Sequence, residues 1–432
     1  MTDYFKGINM HKLNYLAGCV FILFTKNALS AGYDCTSINL NETEKTICER
    51  NYLSSLDNTM NSFFSQAIDN SYSKGELSRS QRQWIVERNK CGMDSECIKD
   101  KYIERNKYLS KFEKFKDVAD VFDRAGEVLD EPMKGLLKNE NGFIIREEPW
   151  RVKKLISSYE LSSIIGELSV NYVKILTHRV VNNDLVVFFV VSGYANNKNF
   201  SYVISIKELG SPTLEAVYEG RNIEVSIINV NNKSEGDVFY SVLENIDSGQ
   251  YDNQYNTLRA FKIQVTNQSV GDLTEVSSKD LPTDEDKWIG YCGGKECESR
   301  VTSPDGKWRL ASSDGSKSDL DEGMYYFPYD RPDSGVNVFL SQADTAKSKN
   351  FGYTREYVWG NGPSFYFDND GGYACIWETN ITDKITKRIL PIEGLVQPYY
   401  IKYRDEDLIL ATYAYYNEYV KKYYREIYIS KK

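Results

Sequence analysis

Histidine is nearly missing from this chain: there are two in 432 residues. His11 lies in the N-terminal segment, which leaves His178, in "KILTHRV", as the one imidazole of the remainder. A metal centre built on several histidines is excluded by count. Ser-His-Asp catalysis would have to use His178, and no G-x-S-x-G frames a nucleophile. No C-x-x-C occurs, which argues against thiolate metal binding. The N-terminal apolar run, LAGCVFILF (Leu16 to Phe24), is about half of what a membrane-spanning helix needs. Positive charge is also short, with 53 Lys and Arg against 62 Asp and Glu and a formal net charge of −9. Such a chain is a poor partner for nucleic acid or anionic lipid and attracts basic proteins.

The first residues carry an address. Lys6 and Lys12 precede the apolar run and the small residues NALSA follow it, so residues 1–31 are expected to be a secretory signal peptide. The tetrapeptide LAGC, Leu16 to Cys19, looks like a lipoprotein box. Its cysteine, however, precedes VFILF, whereas a lipidated cysteine follows its apolar core, so a lipoprotein is the lesser expectation. Three lysines and one aspartate leave with the signal, which takes the net charge to −11. The expected location is the periplasm or outside the cell, with no membrane span in the mature form. Disulfides are permitted there. Seven cysteines remain, six of them in close pairs: Cys35 with Cys48, Cys91 with Cys97, and Cys292 with Cys297. Cys375, in "GYACIWE", is expected to be a buried free thiol.

Two periodicities divide the chain. Leu53, Leu56, Met60, Phe63/Phe64 and Ala67 recur at helical spacing. Ser78 with Gln81 forms a capping-box pattern ahead of a helix carrying Trp84, Ile85 and Arg88. Gly92 ends that helix and Asp94 caps another, striped by Ile98, Tyr102, Arg105, Leu109, Phe112 and Phe115. A Cys91–Cys97 bond would staple one helix end to the next start, and Cys35–Cys48 would pin the mature N-terminus. Each link adds about 2–4 kcal/mol to so small a domain. Residues 111–164 are charged and read as a helical connecting segment. From 165 to 432 alternation takes over, as in "DLVVFFVVSG", "FSYVISIKE" and "DLILATYAYY". The apolar strands "DLVVFF", "DVFYSV", "KWRLAS", "GYACIW" and "DLILAT" recur as five units, which suggests a five-bladed β-propeller; their irregular spacing leaves a sandwich or open sheet array as the alternative. The fold class is therefore α+β and multidomain: a small disulfide-linked all-α domain over 32–110, then an all-β domain.

The residues from Cys35 to Leu109 also resemble the N-terminal domain of the LprI type of lysozyme inhibitor. Cys35, Glu44, Ile47-Cys48, Leu53, Leu56-Asp57, Gln81, Trp84, Arg88, Cys91, Cys97, Arg105 and Leu109 carry the resemblance. Met60, Phe64 and Ile85 stand where that family more often has Leu, Tyr and Leu. The resemblance covers about 75 residues. It implies a disulfide-tied helical domain of bacterial envelopes and, in one branch, inhibition of lysozyme.

Few residues look chemical. Asp57 and Arg88 lie beside apolar stripe positions and are expected to pair, partly buried. "DNDGG", Asp368 to Gly372, fails the calcium-loop frame and reads as a turn. "SDLDEG", Ser318 to Gly323, reads as a solvated acidic loop, and the C-terminal tyrosines as packing between sheets. In "YCGGKECESR", a Cys292–Cys297 bond would make Gly293, Gly294, Lys295 and Glu296 a rigid candidate binding loop. No catalytic residue, metal site or cofactor is indicated. The expected function is binding of another protein in the cell envelope. Its target would be a basic lysozyme-like glycosidase, or a periplasm-acting toxin against which the chain gives immunity. The competing expectations are a propeller sensor or scaffold and a carboxylate-based glycan hydrolase.

Overall fold

The computed structural model describes residues 32–432 except 33, 72–73, 113, 123–128, 167–168, 196–197, 208–211, 221–222, 227–235, 247–253, 282–287, 293–294, 300, 315–321, 340–355 and 418–421. The expected signal segment, 1–31, thus lies outside the described residues. The chain forms two compact units. Of the described residues, one unit comprises those up to Ser62 with Val86–Asn106, the other those of Phe63–Ile85 with Lys107–Lys432. The boundary therefore does not fall at residue 110. It crosses three helices, because a helix of 15 to 20 residues spans about 22–30 Å and its ends have different neighbours.

The first unit is helical. Asn41 starts α1 (Glu42–Glu49) with a full capping box: its side chain accepts from Glu44 N, and the Glu44 carboxylate accepts from Asn41 N, both at 3.0 Å. Next come α2 (Asn51–Asn70), α3 (Lys74–Asn89) and α4 (Ser95–Leu109). The unit takes the first part of α2, the end of α3 and most of α4. Ile47, Leu53, Met60, Ile98 and Tyr102 fill its core. The capping box expected at Ser78 and Gln81 does not form. The helix starts four residues earlier, with Gly75 in its first turn, and Ser78 Oγ donates to Lys74 O at 2.9 Å. A glycine costs a helix only about 1 kcal/mol, which does not delay the start.

The second unit is built of sheets, and it begins before residue 165. Residues 111–164 hold α5 (Val118–Phe122), β1 (Leu137–Lys138), β2 (Ile144–Glu147), β3 (Arg151–Ile156) and α6 (Ser158–Ile165), so the helical connecting segment is corrected. These strands are short, and β2 and β3 have partners more than two hundred residues on. β2 pairs in parallel with residues 385–388, and β3 pairs antiparallel with residues 427–431. Local periodicity holds no record of such pairing.

Five sheets of four to six strands follow. Sheet I is β4 (Ser169–Val181), β5 (Asp184–Ala195), β6 (Lys198–Lys207) and β7 (Thr213–Gly220). Sheet II is β8 (Ile223–Ser226), β9 (Val238–Ile246), β10 (Gln254–Val265) and β11 (Val270–Val276). A hairpin of β12 (Trp288–Cys292) and β13 (Lys295–Ser299) comes next. Sheet III is β14 (Val301–Thr302), β15 (Trp308–Asp314), β16 (Glu322–Pro328) and β17 (Val336–Asn337). Sheet IV joins β18 (Tyr357–Trp359), β19 (Ser364–Asp368), β20 (Ile376–Asn380) and β21 (Ile385–Leu390) to β2 and β1. Sheet V is β22 (Leu395–Tyr403), β23 (Glu406–Asn417) and β24 (Lys422–Lys431), completed by β3. The apolar stretches read as repeats mark five different sheets: four lie in β5, β9, β15 and β23, and "GYACIW" runs from the bend before β20 into its first two residues.

The sheets pack face to face. In β5 one set of side chains, Val187 and Phe189, packs with Ile401, Leu408 and Ile427 of sheet V. The alternate set, Val186 and Phe188, packs with Tyr240, Phe261 and Ile263 of sheet II. A strand buried on both faces has no polar side, which is why it reads as a continuous apolar run. Leu310 and Met324 of sheet III pack on Phe365, Phe367 and Trp377 of sheet IV. The other face of sheet IV, with Tyr366, Ile376 and Ile389, packs on Tyr400, Ile409 and Tyr428 of sheet V.

Candidate functional site

The helical unit carries two turns closed by sulfur. Cys35 is bonded to Cys48 and Cys91 to Cys97. The first bond encloses the segment that leads into α1, and Ile38 in that segment is 93% exposed. The second encloses the turn from α3 to α4. Gly92 takes a left-handed φ of +55° there, and the Asp94 carboxylate caps α4 by accepting from Glu96 N and Cys97 N at 3.0 and 3.1 Å. Met93, at the tip of that turn, is 72% exposed. Each closed turn thus offers one large apolar side chain to solvent on a backbone with little freedom to lose.

Behind the turns lies a buried polar network, in which the structure brings Asp57 and Arg88 together. Arg88 Nη1 is 3.7 Å from Asp57 Oδ1, and Tyr102 joins them. The Tyr102 hydroxyl donates to Asp57 Oδ1 at 2.6 Å and accepts from Arg88 Nη1 at 2.8 Å. The other carboxylate oxygen accepts from Gly32 N at 2.6 Å and Asn61 Nδ2 at 3.0 Å. Arg88 also donates to Asn89 Oδ1, and its Nη2 lies 3.8 Å from Glu44. Burial pushes the Tyr102 phenol well above its ordinary range, with the Asp57 charge adding to the effect and Arg88 opposing it. The hydroxyl therefore stays protonated and donates. Tyr102 reads in the sequence only as one member of an apolar stripe, and nothing there marks it as the link. Of the other positions that carry the family resemblance, Ile47, Leu53, Gln81, Arg105 and Leu109 are also buried.

In the second unit Arg388 is a fully buried cation, enclosed in β21. It donates to Asp130, to Glu147 at 2.7 Å, and to the carbonyls of Glu131 and Ala374 at 2.6 and 3.0 Å. It ties the segment ahead of β1 to sheet IV. His178 is buried in β4 with Nδ1 3.1 Å from the Tyr399 hydroxyl. Burial, and then the neighbouring Arg179, push it down to about 4, so it is neutral near pH 7 and serves packing. Cys375 is a free thiol with no exposure, and burial drives its ionisation far above the ordinary range. Asp368 to Gly372 form a bend, in which Asn369 Nδ2 donates to Gly372 O at 2.7 Å.

The remaining expectations fall on positions the structure describes only in part. Backbone pairing sets Cys292 opposite Lys295 and Cys297 opposite Gly290 in the β12–β13 hairpin, with Glu296 opposite Tyr291. Gly293 and Gly294, the side chains around them and any Cys292–Cys297 bond lie outside the described residues. Most of "SDLDEG", 318–321, lies outside them too. Among the described residues, no group of three or more His, Cys, Asp or Glu could hold a metal ion. No helix among them is long and apolar enough to cross a membrane.

No protein-family model matches this chain, and no curated protein matches it. Solved structures are similar at a low level. A subtype N11 neuraminidase-like protein (H18N11, flat-faced bat, Peru) is 10% identical with a TM-score of 0.27, over 71% of this chain and 96% of that one. Sucrose-6-phosphate hydrolase from Lactobacillus gasseri is 10% identical with a TM-score of 0.28, over 62% of each. Likenesses at this level carry no argument about catalysis or partners in either direction.

Proposed function

We propose that this chain is an exported envelope protein that binds another protein through its disulfide-tied helical unit. The observation that carries this reading is the pair of closed turns with exposed Ile38 and Met93. Apolar anchors on rigid turns lose little ordering entropy on binding. Two disulfides suit an oxidising compartment, which supports export. The acidic balance favours a basic partner, and with the LprI-type resemblance it favours a lysozyme-like glycosidase or a periplasm-acting toxin. The five sheets of the second unit are, on this reading, the blades of a five-bladed propeller. Four face-to-face seams support that, as does β3, an early strand that completes the sheet of the last three.

The test is capture by residues 32–432 from envelope extract, with purified lysozyme assayed in parallel. Ile38→Asp and Met93→Asp should each weaken capture about tenfold or more with the circular dichroism unchanged. Full capture by the double variant would overturn the assignment. Turnover of chromogenic glycosides would replace it with the hydrolase reading.

A further inference from the structure

The seam between sheets IV and V holds a carboxyl group that its surroundings do not complete. Glu378 lies on β20, opposite Tyr366 of β19 and Lys387 of β21. It shares the face of sheet IV that presents Tyr366 and Ile376 to sheet V. Tyr366 stacks on Tyr400 of sheet V with ring centres 5.5 Å apart and planes 12° apart. Oε2 of Glu378 is buried with no hydrogen-bond partner among the described residues. So is Nε1 of Trp150, whose ring meets Tyr366 edge-on at 5.9 Å.

The charges around Glu378 come from both sheets. On its own sheet, Lys387 gives its hydrogen bond to Glu148 at 2.8 Å, and Arg146 also pairs with Glu148. Across the seam Asp407 accepts from the Tyr400 hydroxyl at 2.7 Å and from Lys402 at 3.0 Å. Lys432 is the remaining cation in range. Both neighbouring lysines on the strands, Lys387 and Lys402, thus hold other carboxylates.

We propose that Glu378 is a pH-dependent latch: as the neutral acid it lets sheets IV and V close on each other, and as the anion it loosens the seam. Burial chiefly, with Glu148 and Asp407 adding and Lys387 and Lys432 opposing, lifts its ionisation above the ordinary carboxylate range. The sign follows from the proton count. The folded form keeps the proton to higher pH than the unfolded form does. The contribution to stability is therefore complete below the ordinary carboxylate range and is lost as pH rises through the folded value. Because sheet V includes β3, the device acts on the sheet where the early and late parts of the chain meet.

The experiment is hydrogen exchange of residues 32–432 between about pH 4.5 and about pH 7.5, corrected for the intrinsic rate. Peptides covering β20 and β22 should lose protection about tenfold over that range in the native chain. In Glu378→Gln, which keeps the shape and cannot ionise, they should stay protected throughout. Asp407→Asn removes a repelling charge, so the anion is better tolerated and the loss of protection over that range should be smaller than in the native chain. A native chain and Glu378→Gln with the same pH profile would overturn the proposal, as would an undiminished loss of protection in Asp407→Asn.

Discussion

Asp57 and Arg88 show how a buried charge pair is completed by a residue with no charge. At 3.7 Å the two ions are too far apart for a direct hydrogen bond, and the Tyr102 hydroxyl fills the gap by accepting from one and donating to the other. All three are essentially withdrawn from solvent, so each depends on the others for what water would have supplied. Removing one ion leaves the second buried and without its opposite charge at close range, which costs about 3–5 kcal/mol. Asp57→Ala and Arg88→Ala should each destabilise the helical unit by that amount. The double variant should cost clearly less than the sum, leaving a coupling of about 2 kcal/mol in a urea-unfolding cycle. Tyr102→Phe should cost nearly as much as either single change. A coupling near zero would mean that the pair contributes nothing as a pair. The two ions are legible in the sequence because charges interrupt an apolar stripe. The tyrosine is not, because a phenol and an apolar ring make the same stripe.

Elements were legible where local physics decides them. The helical period and the Asp94 cap give α2 and α4 from composition alone, and Gly92 marks the turn by the left-handed backbone it permits. The helix α1 escapes because its eight residues are mostly polar. Its signal is the short Asn41–Glu44 box. Strands such as β7, β11 and β16 escape because their partners, not their own alternation, decide them: β11 is exposed along nearly all its length. The turn between α3 and α4 allows a direct test. Cys91→Ser with Cys97→Ser opens a loop of six residues, which in the chain-entropy model costs about 2 kcal/mol. The Asp94 cap remains, so the helices should persist in far-ultraviolet circular dichroism while Met93 and its flanks gain exchange. If partner capture rests on that rigid turn, the same variant should bind about tenfold more weakly while keeping its fold.

At the scale of the whole molecule, the chain's two distant stretches meet in one sheet. Residues 151–156 form the edge of sheet V beside β24, with Ile156 opposite Ile427 and Lys153 opposite Ile429. Val152 and Ile156 are fully buried there, Val152 against sheet IV residues and Ile156 against those of sheet I. One six-residue strand thus contributes to both seams of sheet V. Five apolar repeats made five sheets legible in the sequence, but this closure was not, because "RVKKLI" alternates too briefly to announce a partner 270 residues away. If the strand locks the sheets together, a change in it should act on all of them. Val152→Asp places an unpaired charge in the core of one seam, and Ile156→Asp does so in the other. Each should destabilise the entire sheet unit by more than about 3 kcal/mol, in a single transition of lowered midpoint. Ile144→Asp on β2, at a half-exposed position outside both seams, should cost less than about 0.5 kcal/mol. Separate transitions for sheets I–III and IV–V in the Val152 or Ile156 variant would show that the sheets unfold as independent blocks, with β3 serving only its own sheet.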